Sequence, residues 1–305
     1  MIRLPGVLLA TTLLAIAPLA HAQQPEPTAQ ALISIESKDP APVKASDINI
    51  KVNNKKSDLT SLVNVPAAQV AVAILIDDSL RAAIGTQIGD IRKFIQSLPT
   101  GTAVLVGYMQ DGDVAVAKNF TLEHDDAANA VRIPLGQRGL NASPYFCISE
   151  FAKRWRAAPG QAHIMLAITD GVDPYNGSVS PMNQDSPYVQ TAVRDAQRAG
   201  IPVYSIYYTD AGIRGGAASF SGQSYLAQLA EGTGGQAFYQ GTGNLVSMAP
   251  FLADFQRAIN QTYIATFPAP TGKDLVRFKA DTKLRKTKVH APEDVAPAAL
   301  GDPTP

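Results

Sequence analysis

The chain of 305 residues has one cysteine, one tryptophan and four histidines. A lone cysteine excludes an internal disulfide, so the fold must be held by its core. Cys147 lies in the apolar stretch Phe146-Cys147-Ile148 and reads as a small buried hydrophobe, not a reactive thiol. Net charge is also missing: 26 Lys and Arg stand against 26 Asp and Glu. A neutral chain carries no electrostatic footprint for nucleic acid. The histidines His124, His163 and His290 have no Ser or Cys nucleophile in a recognisable elbow beside them. Gly232-Thr233-Gly234-Gly235 precedes an expected strand, which is the wrong order for a phosphate cradle. Long apolar runs are absent except Leu8–Leu19, which is too short to span a bilayer. With Arg3 before it and Ala20-His21-Ala22 after it, residues 1–22 read as a cleavable secretory signal. The expectation is an exported chain with no transmembrane segment, in the periplasm, at the cell surface or in the medium.

What is present is a run of buried strands that stop at aspartate. Val70–Ile76 is continuously apolar and runs into Asp77, Asp78 and Ser79. A second buried strand, His163–Thr169, ends the same way in Asp170-Gly171. Apolar runs of this length bounded by polar residues read as strands buried on both faces. Open α/β sheets bind ligands at the carboxyl ends of such strands. Two of them ending in carboxylates point to one shared, oxygen-rich site.

Strands and amphipathic helices alternate around this pair. Leu80–Leu98 is expected as a helix with Ile84, Ile88, Ile91 and Ile95 on one face, stopped by Pro99. Ala103–Met109 and Val114–Phe120 are joined by the hairpin signal Gln110-Asp111-Gly112-Asp113. Helices are expected at Asp125–Val131, Phe146–Arg156, Tyr188–Arg198, Tyr225–Ala230 and Leu245–Gln261, with strands at Val203–Tyr208 and Gln236–Tyr239. Gly200 is expected as a left-handed cap. The fold class is α/β: a doubly wound, mostly parallel sheet with helices on both faces. Leu32–Glu36 and Ile48–Val52 alternate apolar and polar residues, as do Tyr263–Phe267 and Leu275–Ala280. These four should pair with one another as a small β layer from the two flanks. The expected organisation is a signal at 1–22, a flexible lead-in at 23–30 and flanking strands at 31–66. A main domain follows at 67–262, then C-terminal strands at 263–290 and a Pro- and Ala-rich disordered tail at 291–305. The basic residues Arg277, Lys279, Lys283, Arg285, Lys286 and Lys288 read as a solvated edge strand protected by lysines.

Over Ala68–Gln261 this order resembles a von Willebrand factor type A domain. That family carries an adhesion site of the form Asp-x-Ser-x-Ser after the first strand, a Thr in a later loop and an Asp after a central strand. Asp77-Asp78-Ser79-Leu80-Arg81 matches the first element, Asn141-Ala142-Ser143-Pro144 the second with Ser143 for Thr, and Ile168-Thr169-Asp170-Gly171 the third. The resemblance implies that Asp77, Ser79, Ser143 and Asp170 hold magnesium or manganese. It implies a protein partner whose carboxylate completes the shell. Magnesium takes oxygen ligands in octahedral geometry and keeps several waters, which suits carboxylates and hydroxyls.

The chain departs from the pattern at Arg81, where the second Ser is expected. A guanidinium has no lone pair to give a metal. Arg81 either swings outward and leaves four ligands, or folds inward and pairs with Asp77 or Asp170 in place of the ion. Either way it is available to a partner's carboxylate. The loops Gly171–Pro187, with Tyr175, Met182 and Asp185, and Thr209–Gln223 should rim the site, and Tyr175 and Asp185 are expected partner contacts with Arg81. Asp78 has no expected ligand role. The reading is a non-enzymatic binding protein; the alternative is a metal-dependent hydrolase using Asp77 and Asp170, which lacks a visible general base.

Overall fold

The computed structural model describes residues 27–37, 43–135, 143–156, 160–176, 184–208, 216–239 and 245–297, without the side chains of residues 81–83 and 216–219. The expected signal at 1–22 therefore lies outside the described residues. From the N-terminal side come β1 (Thr28–Ser37), β2 (Ile48–Val52), β3 (Lys55–Ser57) and β4 (Ser61–Asn64). Next are β5 (Val70–Asp77), α1 (Ile88–Ser97), β6 (Ala103–Gln110), β7 (Asp113–Thr121), α2 (His124–Asn129), α3 (Pro144–Arg154) and β8 (Ala162–Thr169). The main domain continues with α4 (Pro187–Ala199), β9 (Val203–Tyr207), α5 (Gly216–Thr233), β10 (Ala237–Phe238) and α6 (Ala249–Asn260). Four strands follow: β11 (Thr262–Pro268), β12 (Val276–Thr282), β13 (Thr287–His290) and β14 (Asp294–Val295).

The central sheet has the order β10-β9-β8-β5-β6-β7. All its pairings are parallel except that of β6 with β7, which is antiparallel. The hairpin between them turns on Asp111 and Gly112, with φ of 50° and 79°. Positive φ at both central residues gives the primed turn whose twist matches the flanking strands. Strand alternation sorts β5 onto two cores. Val72, Ile74 and Ile76 face α1 and α6, where Ile91, Ile95, Leu252 and Phe255 are buried. Ala73 and Leu75 face α3, α4 and α5, where Ile148, Val189, Ala192 and Leu229 are buried. Burial on both faces is what the continuous apolar runs predicted.

The flanking strands pair as expected: β1 with β11 and β2 with β12, both antiparallel. They form two four-stranded sheets, β13-β1-β11-β4 and β14-β12-β2-β3, rather than one layer. Ile33, Ile35, Ile50, Val52, Phe267 and Phe278 fill the space between them, with Phe267 and Phe278 stacked at 4.6 Å. Leu32 and Ile264, on the opposite faces of β1 and β11, join the core of the central domain. Both strands are thereby buried on two sides, which fastens the flanks to α6.

Several elements differ from expectation. The expected helix Leu80–Leu98 is a 3₁₀ segment, Asp78–Gln87, followed by α1. The Asp77 carboxylate accepts the Ser79 amide and tightens the first turn. The expected loop Thr209–Gln223 is helical from Gly216, because α5 begins a full two turns before Tyr225. Small residues read as loop by propensity, but here they let the helix lie close to the sheet. β1 begins at Thr28, inside the segment expected as a lead-in. Asp294–Val295 is a strand inside the expected tail, held by pairing with Val276 and Arg277 and by burial of Val295. The basic strand β12 is not a plain edge: β2 runs along one side and β14 covers Val276–Arg277 on the other.

Candidate functional site

β5 and β8 are adjacent parallel strands, so Asp77 and Asp170 leave the sheet side by side at its carboxyl edge. Asp77, Ser79, Ser143 and Asp170 are 3 %, 7 %, 0 % and 3 % exposed, so the four lie beneath the rim rather than on it. Thr169 Oγ1 donates to Asp77 Oδ2 at 2.6 Å and accepts the Gly171 amide at 3.1 Å. That one hydroxyl ties the two strand ends together. The Ser79 amide donates to Asp77 Oδ1 at 2.9 Å, and the Val172 amide donates to Asp170 Oδ1 at 3.0 Å. Burial, reinforced by the neighbouring Asp170 carboxylate, raises the Asp77 carboxyl from 3.8 to about 6, against the opposing hydrogen bonds from Thr169 and Ser79.

Ser143 is the N-cap residue of α3, followed by Pro144 at the first helical position. An N-cap serine ordinarily accepts an amide of its own helix. Ser143 does not: its Oγ is buried with no hydrogen-bond partner among the described residues. Two residues on, Tyr145 Oη donates to the Gly171 carbonyl at 2.7 Å. This bond holds the first turn of α3 against the Asp170 turn. On the other side α5 closes in: a Cβ on Gly222 would stand 2.1 Å from the Asp170 carbonyl oxygen.

The rim residues divide. The Tyr175 amide donates to Asp173 Oδ1 at 3.1 Å, and its half-exposed ring packs on Phe146 at 5.1 Å. Asp173 Oδ2 accepts from Ser186 Oγ at 2.7 Å, and Ser186 caps α4. The Asp185 side chain is exposed, and its carbonyl accepts from Asn176. Tyr175 and Asp185 thus stand on the two described sides of residues 177–183, tied across by Asn176 and by the Asp173–Ser186 bond. The Arg81 backbone lies in the 3₁₀ segment, and its side chain, like Met182, lies outside the described residues. Asp78 turns away from the pair: its Oδ1 accepts from Arg132 Nη1 at 3.0 Å and from the Leu135 amide at 3.1 Å. It anchors the segment after α2.

Sequence reasoning passed over Thr169, Tyr145 and Asp173. Thr169 was in view inside Ile168-Thr169-Asp170-Gly171, but nothing in the pattern says that its hydroxyl reaches across to β5. Asp173 was findable through Ser186-Pro187, a helix-start signal whose serine needs a partner.

The other titratable groups stand elsewhere. His163 stacks on Trp155 at 4.5 Å, and burial lowers its pKa. His124 Nε2 lies 2.8 Å from the Thr102 carbonyl. Burial pushes the Cys147 thiol up to about 12. Among the described residues no group of three or more His, Cys, Asp or Glu is placed to hold a metal. The donors gathered at the sheet edge are instead two carboxylates with hydroxyls. Ser143 Oγ, at the start of α3, is buried without a hydrogen-bond partner among the described residues, and the Asp77 and Asp170 carboxylates act on each other in a buried place. Both features fit a small hard cation.

No protein-family model matches the chain, and no curated protein matches it. Among solved structures it is similar to BatB, a conserved hypothetical protein from Bacteroides thetaiotaomicron, at 15 % identity and a TM-score of 0.45. That match covers 62 % of this chain and 97 % of the other. It is similar to the vWF domain of the type V pili tip protein Mfa5 from Porphyromonas gingivalis, at 12 % identity and a TM-score of 0.45, covering 65 % and 96 %. It is also similar to the ArnB paralog VWA2 from Sulfolobus acidocaldarius, at 8 % identity and a TM-score of 0.41, covering 90 % and 76 %. The molecule's own topology is a doubly wound α/β one: a parallel sheet with one antiparallel edge strand, helices on both faces, and acidic ends on neighbouring central strands.

Proposed function

We propose that this chain is an exported binding protein that engages a protein partner at the carboxyl edge of its central sheet. Asp77, Ser79, Ser143 and Asp170 would hold a magnesium or manganese ion. The ion would supply a Lewis-acidic position for a partner's carboxylate. The observation that supports the reading is the pair of buried carboxylates at adjacent strand ends, beside a helix whose first turn is held to the Asp170 turn and whose buried N-cap serine does not cap its own helix. Export rests on the N-terminal pattern of Arg3, Leu8–Leu19 and Ala20-His21-Ala22. Among the described residues no helix is long and apolar enough to cross a membrane.

The chain's own residues prepare the site. Thr169 fixes the Asp77 carboxylate and the Asp170 turn together. Tyr145 sets α3, and with it Ser143, against that turn. Asp173, which accepts from the Tyr175 amide and from Ser186, braces the residues next to Tyr175 and Asp185, and these two with Arg81 would serve as partner contacts. The reading is a binding function and not catalysis. No histidine among the described residues stands over the two carboxylates as a base, and the described ones are engaged with Trp155, Thr102 and Glu36.

Calorimetric titration with manganese at pH 7.5 tests the reading. Wild type should release heat, and Asp77→Ala and Asp170→Ala should not, while both variants keep the wild-type near-ultraviolet circular dichroism. No heat with wild type, or equal heat with both folded variants, overturns the metal site.

A further inference from the structure

The outward face of the β14-β12-β2-β3 sheet carries a row of lysines set by strand register. Lys279 pairs with Lys51, and Lys51 pairs with Lys56, across three neighbouring strands. All three are exposed, while Phe278, Ile50 and Val52 beside them point into the core. Paired strands lie about 4.8 Å apart, so the three stems stand in a line across the sheet. Like charges directly opposite one another weaken a sheet. Edge protection accounts for lysines on an outer strand such as β3. It does not account for Lys51, because β2 is paired on both sides.

Nor is the row neutralised within the chain. Arg277 has Glu293 and Asp294 at 3.6 and 3.7 Å. Asp281, on the same face, accepts from Asn49 at 3.1 Å. Lys51, Lys56 and Lys279 have no ion pair among the described residues. The face also lacks large exposed apolar side chains, since none of those in the molecule lies on β2, β3, β12 or β14. A membrane surface is gripped by apolar side chains as well as charge. Single-stranded nucleic acid is gripped by aromatic platforms. A flat polar face with evenly spaced cations suits neither of these as well as an extended, regularly charged polymer.

We propose that this lysine row binds a linear anionic polysaccharide with one carboxylate per sugar ring, lying across β12, β2 and β3. Each ammonium meets a successive carboxylate, and the contact is electrostatic and weakened by salt. This surface is separate from the Asp77 and Asp170 edge and does not depend on the ion proposed there.

The test measures binding of the full chain to an oligogalacturonate, with a neutral galactan, single-stranded oligo-dT and phosphatidylglycerol vesicles as comparisons. Wild type should bind the oligogalacturonate in preference to all three, equally with and without chelator, and more weakly at high salt. The variant Lys51→Gln/Lys56→Gln/Lys279→Gln should lose about tenfold or more in affinity. Lys283→Gln/Lys286→Gln, on the turn after β12, should stay within about twofold of wild type. Lys51→Gln alone, the mildest change, should still lose about threefold. Equal affinity of wild type and the single and triple row variants overturns the proposal. So does a preference of wild type for the neutral galactan, the oligo-dT or the vesicles. Loss of manganese heat in wild type, with oligogalacturonate binding intact, would break the metal site and leave this surface standing.

Discussion

Two regions of this molecule hold charge in opposite ways. At the carboxyl edge of the central sheet the charged groups are buried, close together and tied to backbone amides and hydroxyls. On the outer face of the β14-β12-β2-β3 sheet the lysines Lys51, Lys56 and Lys279 are exposed, aligned by register and without an ion pair among the described residues. Burial makes the first region costly and exact in geometry. Exposure makes the second cheap, screened by salt and tolerant of change. A buried carboxylate pair is retained where something will neutralise it, whereas an exposed row of ammonium groups costs only mutual repulsion. Substitutions should therefore cut deep at the edge and shallowly on the face.

The largest effect is expected where backbone meets backbone at the edge. Gly222→Ala puts a Cβ 2.1 Å from the Asp170 carbonyl oxygen, and neither partner is a flexible side chain. The variant should lose about 3 kcal/mol or more by urea unfolding. Gly89→Ala in α1 is the control, since nothing lies within 4 Å of its added methyl. It should gain up to about 1 kcal/mol from helix propensity. Equal, small effects at both glycines would mean that α5 can move away from Asp170 freely, and that the edge is not a tightly built site.

A smaller effect, of defined pH dependence, comes from Asp77. Its folded carboxyl titrates at about 6, against 3.8 as its ordinary value. Between those values the folded state holds a proton that the unfolded chain has lost. Stability without metal therefore falls as pH rises through that window, and the loss is complete above it. At about 1.4 kcal/mol for each factor of ten, the cost is on the order of 3 kcal/mol at pH 8. Asp77→Asn removes the buried charge and keeps an oxygen for the Ser79 amide. In chelator at pH 8 it should be the more stable protein, with the advantage shrinking toward pH 4. Urea unfolding across that range measures it. An advantage that is flat with pH would deny that Asp77 pays for its charge, and would remove the electrostatic reason for a cation at this place.

Much of the edge was legible in the sequence because buried strands state their own length. Val70–Ile76 and Ile164–Ile168 are apolar without interruption, and Asp77 and Asp170 stand at the carboxyl ends of their strands. The hairpin at Asp111-Gly112 was legible because only a few residues tolerate its positive φ. The pairing of β1 with β11 and β2 with β12 was legible from alternation in the flanks. What was hidden depends on contacts between distant segments. Local propensity cannot say that Gly222 is a point of close approach within a helix. It cannot say that Ser143 declines its own helix, or that the Thr169 hydroxyl reaches β5. The short strands β3, β13 and β14 carry too few residues to show a period, and they exist because their partners offer an open ladder. The lysine row belongs to this second kind: Lys51, Lys56 and Lys279 are unremarkable apart, and only register aligns them.

The smallest effect sharpens the comparison from the exposed side. Lys51 stands between two lysines on a strand paired on both flanks. Lys51→Thr removes the middle charge and places a β-branched residue where the pleat favours one. The variant should gain about 0.2–1 kcal/mol at low salt. In about 1 M salt, where the Debye length falls to about 3 Å, most of that gain should vanish. The gain and its loss with salt would together mark the row as a repulsive feature kept at a cost to stability. A variant that is less stable than wild type at both salt concentrations would mean that the Lys51 stem stabilises by packing along the sheet. The row would then have a structural reason to exist, and the edge alone would hold charge against the stability of the fold.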